Sequence, residues 1–155
     1  MEAVDEITDD ITDDTQDDSP GDLAGRTDVD RLLRAFYGRA LVDPLLRPVF
    51  VDVAHMDLEE HLPRIGDFWE KVLFDTARYD GAAMQVHRRL HRAHPLTAEL
   101  FERWLELWDA TLTETFAGPV ADAARAHAQR IAAAFLRNLA EPPAPRVELP
   151  ITSRA

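Results

Sequence analysis

Apolar residues recur every three or four positions through the middle of the chain, and no window alternates apolar and polar residues with period two. Val29, Leu32, Leu33, Phe36 and Ala40 form the first such stripe. Thr27 followed by Asp30 resembles an N-cap with an acidic first turn, and Asp43-Pro44 stops the helix. Leu45 to Val53 is a short proline-broken connection carrying Phe50. Asp57 is a good N-cap for a second helix, in which Leu58, His61, Ile65, Phe68 and Val72 share a face. Pro63 is expected in or just after its first turn, where a missing N–H costs least. Tyr79-Asp80-Gly81 reads as a turn before a short helix over 83–92, which His94-Pro95 ends. Thr97 lacks a full capping box, although Glu99 sits favourably in a first turn. Leu100, Phe101, Trp104, Leu107, Trp108, Thr111 and Leu112 then make a long stripe, broken at Gly118-Pro119. A last helix carries Val120, Ala124, Ala128, Ile131, Phe135 and Leu139 on one side. The pattern predicts an all-α domain with about five main helices and one short one.

Charge changes the picture at the ends. The 155 residues carry a formal net charge of -12 from 29 acidic and 17 basic side chains. Ten of the acids and none of the bases lie in residues 1–22, so the remaining 133 residues hold 19 acids against 17 bases, a net of -2. Residues 1–26 read as an acidic disordered tail, because dense like charge and few apolar groups cannot offset chain entropy. A docking arm for a basic partner is the functional alternative, and nothing in the sequence singles out that partner. Pro142, Pro143, Pro145 and Pro150 make 141–155 a proline-rich second tail, leaving a compact domain over 27–140. No apolar run approaches the ~20 residues of a membrane span, and no secretory or transit signal opens the chain. A soluble, cytoplasmic protein is expected. The absence of cysteine excludes disulfides, thiolate zinc sites and thiolate-ligated haem. Nucleic acid is disfavoured, since neither domain nor tail offers a basic stripe.

The candidate chemistry lies in polar groups set among apolar ones. His61 shares its stripe with Leu58, Ile65 and Phe68, Tyr37 lies beside Phe36, and Trp104 sits in the middle of the fourth helix. A buried imidazole, phenol or indole needs a hydrogen-bond partner, and three such groups from three helices suggest a lined pocket. His87, His91 and His94 form a separate cluster. His87 and His91, four residues apart, could hold a metal such as zinc with a third ligand from His94 or a remote acid. The competing assignment gives iron porphyrin to His87 alone, with His91 and His94 at the pocket rim or surface. His55 and His127 read as surface residues. No GxGxxG offers a flavin or nicotinamide site.

The segments AFYGRALVDPLLRPVF, HLPRIGDFW, YDGAAMQVHRRL and LFERWLELWDATL carry a family resemblance. In order come Phe36-Tyr37, His61 with Ile65 and Phe68-Trp69, Tyr79 eight residues before His87, and Arg103-Trp104-Leu105. Over roughly 29–139 the chain resembles the group III truncated haemoglobins of bacteria. The resemblance implies an abbreviated globin fold, with two helix pairs crossed over one another around haem b. It implies His87 as the proximal iron ligand and Tyr37, His61 and Trp104 as distal polar residues. Phe36, Phe50, Ile65, Phe68 and Trp69 would complete the apolar pocket. Two further histidines in HRRLHRAHPL leave His91 as a competing ligand. The expected function is binding of dioxygen or another diatomic ligand. Whether the protein is a carrier or an enzyme stays open: nitric oxide dioxygenase or peroxidase-like chemistry would require a reductase partner. Two other classes also stay open, a non-haem metal protein on His87, His91 and His94, and a helical protein-interaction module.

Overall fold

The computed structural model describes residues 18–76 and 83–140; residues 1–17 of the acidic tail, the whole proline-rich tail 141–155 and the Tyr79-Asp80-Gly81 turn lie outside them. The described residues form five α-helices: α1 (Arg26–Ala40), α2 (Leu58–Phe74), α3 (Ala83–Ala93), α4 (Ala98–Thr115) and α5 (Pro119–Ala140). No strand occurs among the described residues. α1 packs on α2 and α4, and α5 packs on α4 and α2, so four helices close a ring as two pairs. α3 lies against α5 and against the segment Pro48–Val53. The interior is built by Val29, Leu32, Leu33 and Phe36 of α1, Trp108 and Leu112 of α4, and the alanines 121, 124 and 128 of α5. The small side chains on α5 leave room for the Trp108 ring, whose indole N–H reaches the Ala124 carbonyl.

Several boundaries differ from the pattern for identifiable reasons. α1 starts at Arg26 with Gly25 as N-cap, so Thr27 is not the cap. No side chain caps its first turn; the Asp28 carboxylate instead reaches back to accept from the Ala24 N–H at 2.9 Å, ahead of the helix. In α2, the Asp57 carboxylate accepts from the Glu60 N–H as expected, but Pro63 lies inside the helix, beyond its first turn. The Pro63 carbonyl also accepts from the Arg26 guanidinium at 2.9 Å, which ties α2 to α1. Thr97 does cap α4, its hydroxyl accepting from the Leu100 N–H. The proline-broken connection is a π-helical turn over Pro48–Val53.

The acidic tail also ends earlier than residue 26. Leu23 is buried, the Gly21 carbonyl accepts from the Ala117 N–H at 3.0 Å, and the Asp22 carboxylate accepts from the N–H groups of Val120 and Ala121 at 2.8 Å each. Asp22 thereby caps α5 from 98 residues away in sequence, satisfying donors that α5 cannot satisfy itself. Gly118, at φ +136°, makes the preceding turn, and a Cβ there would lie 2.6 Å from the Asp22 carboxyl carbon. Sequence reasoning missed this contact because an acid inside an acidic run carries no local signal.

Candidate functional site

Tyr37 is buried near the end of α1, with Phe36 edge-on at 5.0 Å between ring centroids and Phe50 edge-on at 5.8 Å. Phe50 reaches it from the π turn, and Phe36 also meets Trp104 at 5.8 Å and Trp108 at 5.2 Å. The Tyr37 hydroxyl has no hydrogen-bond partner among the described residues. Burial pushes its pKa well above the ordinary tyrosine value, so it stays a protonated donor. Trp104 is half-buried and lies parallel to Trp108 at 5.7 Å. The Trp108 indole N–H donates to the Ala124 carbonyl at 3.3 Å, whereas that of Trp104 finds no partner among the described residues. Two donors on α1 and α4 are thus held beside one aromatic cluster with no acceptor among the described residues.

An ion pair between buried Asp43 and half-exposed Arg103 ties this side of the fold together. Asp43 accepts from Arg103 Nε at 2.9 Å and from the N–H groups of Leu45 and Leu46. Burial by itself would raise its pKa, but Arg103 and the two backbone donors hold it below the usual carboxylate range. The pair joins the chain leading to Phe50 with the residue preceding Trp104. Sequence reasoning quoted Arg103 only for its spacing; a pair separated by 60 positions has no sequence signal.

His87 is half-buried on α3. Its Nδ1 lies 2.7 Å from the Ala83 carbonyl, and its ring stacks on Phe135 of α5 at 4.1 Å with 20° between the planes. Since a carbonyl only accepts, Nδ1 carries the proton and donates, leaving Nε2 with a free lone pair. Burial lowers the His87 pKa and so favours the neutral ring, while the hydrogen bond to Ala83 pulls the other way. This is how a metal-ligating imidazole is commonly set by its outer partner.

The neighbouring histidines are used differently. His91 Nδ1 accepts from the Leu96 N–H at 3.0 Å, so in the neutral ring the proton sits on Nε2 and no lone pair remains. His94 has a buried Nδ1 with no partner among the described residues. No three histidine, aspartate or glutamate side chains come together in metal-binding geometry among the described residues. The three histidines weighed as an alternative metal site do not converge there: His87 and His91 engage Ala83 and Leu96, and His94 lies beyond the end of α3.

α2 corrects one expectation. His61 is exposed, its Nδ1 donating to the Asp57 carbonyl at 2.8 Å, so it is outside the apolar interior. Ile65 and Phe68 are half-buried, along with Leu58 and Val72, and Trp69 is buried against Trp108 at 4.4 Å. The fully buried positions are Leu62, Gly66 and Trp69. The stripe identified by period is therefore the flank of the helix, and the buried line runs one residue further round. Gly66 leaves room for Arg26: an added Cβ would lie 2.5 Å from its guanidinium, which would have to shift. Arg26 in turn binds Asp67 at 2.7 Å and Glu70 at 2.8 Å, joining α1 to α2.

No protein-family model matches the chain. It is similar to the group 3 truncated hemoglobin of Campylobacter jejuni, 28% identical over 114 residues that cover 72% of this chain and 87% of the relative. The crystal structure of the group III truncated hemoglobin from Campylobacter jejuni overlays at a TM-score of 0.69 with 27% identity, covering 78% of this chain and 95% of the other. No described helix is long and apolar enough to cross a membrane. In sequence and in architecture alike, the chain resembles the group III truncated haemoglobins, and its two helix pairs form the abbreviated globin fold.

Proposed function

We propose that the chain binds haem b through His87 Nε2 and takes up dioxygen or another diatomic ligand. The observation that carries this reading is the Tyr37 hydroxyl: a donor on a buried side chain that has no partner among the described residues and is therefore available to a bound ligand. The donor set fits the group. One imidazole has its outer nitrogen already engaged and its inner lone pair free. The half-buried line Leu58, Ile65, Phe68 and Val72, with Phe50, offers apolar surface to a flat macrocycle. Ferrous haem, when bound, supplies reversible binding of diatomic ligands.

The chain's own residues do the rest. Ala83 and Phe135 hold the His87 ring in one orientation. Tyr37 and Trp104 donate to a small ligand that carries partial negative charge, which slows its departure. His61 stands outside the cluster, an arrangement that supports a gate at the pocket mouth over a donor inside it. The apolar shell limits water.

The decisive experiment is a visible absorption spectrum of the purified chain after haem addition. A Soret band is expected, lost in His87→Ala and kept in His91→Ala. A protein that stays colourless, or a band that survives His87→Ala and vanishes in His91→Ala, would overturn the assignment.

A further inference from the structure

The outward face of α3 bears Arg88, Arg89 and Arg92, which with Gln85 line a shallow concavity of about 240 Å³. All four are exposed, and none of the three arginines has an ion-pair or hydrogen-bond partner among the described residues. This contrasts with Arg26, Arg34, Arg39, Arg103 and Arg125, each of which meets a carboxylate. The sequence around the face explains the difference: residues 81–98 contain no acid at all. The complementary feature is at the other end of the chain, where residues 1–17 hold eight acids and no base.

Geometry makes the two accessible to each other. Gly21 and Asp22 fasten the root of the arm beside the start of α5, through Ala117, Val120 and Ala121. α3 meets the far half of the same helix, where His87 stacks on Phe135. From Val120 to Phe135 the helix rises about 22 Å, and 17 residues of chain span at most about 56 Å. The arm reaches the arginine face with length to spare. Each exposed ion pair is weak by itself. Tethering replaces a bimolecular encounter by an intramolecular one, and several opposite charges then act together.

We propose that the acidic arm, residues 1–17, docks on the Arg88–Arg89–Arg92 face of α3 in the same chain. The arm then occupies the surface that any anionic partner approaching the His87 helix would need. This inference rests on charge and placement and is independent of the haem assignment.

The chain has no cysteine, so two spin labels can be placed cleanly, at Thr8→Cys in the arm and at exposed Ala93→Cys on α3. Pulsed electron paramagnetic resonance on the full-length double-labelled chain is expected to show a short-distance population at low ionic strength. That population should fall by more than half in Arg88→Gln/Arg89→Gln/Arg92→Gln. It should also fall in about 1 M salt, where the screening length is only about 3 Å. Circular dichroism should show unchanged helix content in the triple variant. Identical distance distributions with and without the arginines, or a short population that survives high salt, would refute the docking. So would short distances between mixed singly labelled chains, which would place the arm on a second copy.

Discussion

The imidazole of His87 lies flat against the ring of Phe135, 4.1 Å away and tilted by 20°. Together with the 2.7 Å contact from Nδ1 to the Ala83 carbonyl, this leaves the ring little freedom to rotate. An aromatic pair contributes about 0.5–1.5 kcal/mol beyond its buried area. Phe135→Leu keeps much of the volume and removes the flat face. Haem loss from the reconstituted variant to an excess of apomyoglobin should accelerate by about three- to tenfold with helix content unchanged. An unchanged rate would mean that the stack does not orient the ligand.

Tyr37→Phe separates stability from ligand binding. The hydroxyl has no partner among the described residues, so its removal should leave the thermal midpoint of the haem-free chain unchanged or raise it slightly. The dioxygen off-rate of the reconstituted protein should rise by about tenfold, the equivalent of one lost hydrogen bond of roughly 1.4 kcal/mol. Stopped-flow displacement by carbon monoxide measures that rate, and an unaltered value removes Tyr37 from ligand contact.

Asp22 predicts an acid dependence. Burial tends to raise its pKa, but the N–H groups of Val120, Ala121 and Leu23 bring it below the ordinary 3.8. A carboxylate with a depressed folded-state pKa stabilises the fold above the unfolded value and loses that contribution as pH falls through the folded one. Stability should therefore drop more steeply below about pH 4 in the natural chain than in Asp22→Asn. At neutral pH, Asp22→Ala should cost about 1–2 kcal/mol, as for a lost helix cap. Urea titrations at both pH values test the two statements, and equal acid sensitivity in Asp22→Asn would refute the first.

Gly66 and Arg26 form a pair whose coupling has a definite sign. Alanine in a helix interior is favoured over glycine by about 1 kcal/mol, but its Cβ would displace the Arg26 guanidinium from Asp67, Glu70 and the Pro63 carbonyl. Gly66→Ala should lower the melting temperature of the natural chain and raise it in an Arg26→Met background. A double-mutant cycle by thermal unfolding reads the difference directly, and additivity would contradict it.

α2 illustrates how much of this protein is local. Its cap at Asp57 and its helical period are readable residue by residue, because capping and amphipathicity involve neighbours within a turn. Its phase was not. Leu58, His61, Ile65, Phe68 and Val72 and the adjacent line Leu62, Gly66, Trp69 are both mostly apolar, so periodicity could not say which one faces inward. The packing of α2 on α1 and α5 chose the second, and His61 was turned to solvent as a result.

By itself the sequence determined the all-helical class and the family resemblance, and it singled out Tyr37, His61, Trp104 and His87 alike. Each of these depends on residue type and short-range spacing. Only the tertiary structure decided that Asp22 caps α5, that Arg103 holds Asp43, and that His91 gives its lone pair to Leu96 while His87 keeps one free. Those choices depend on which distant groups the folded chain brings within about 3 Å, where a hydrogen bond has its strength.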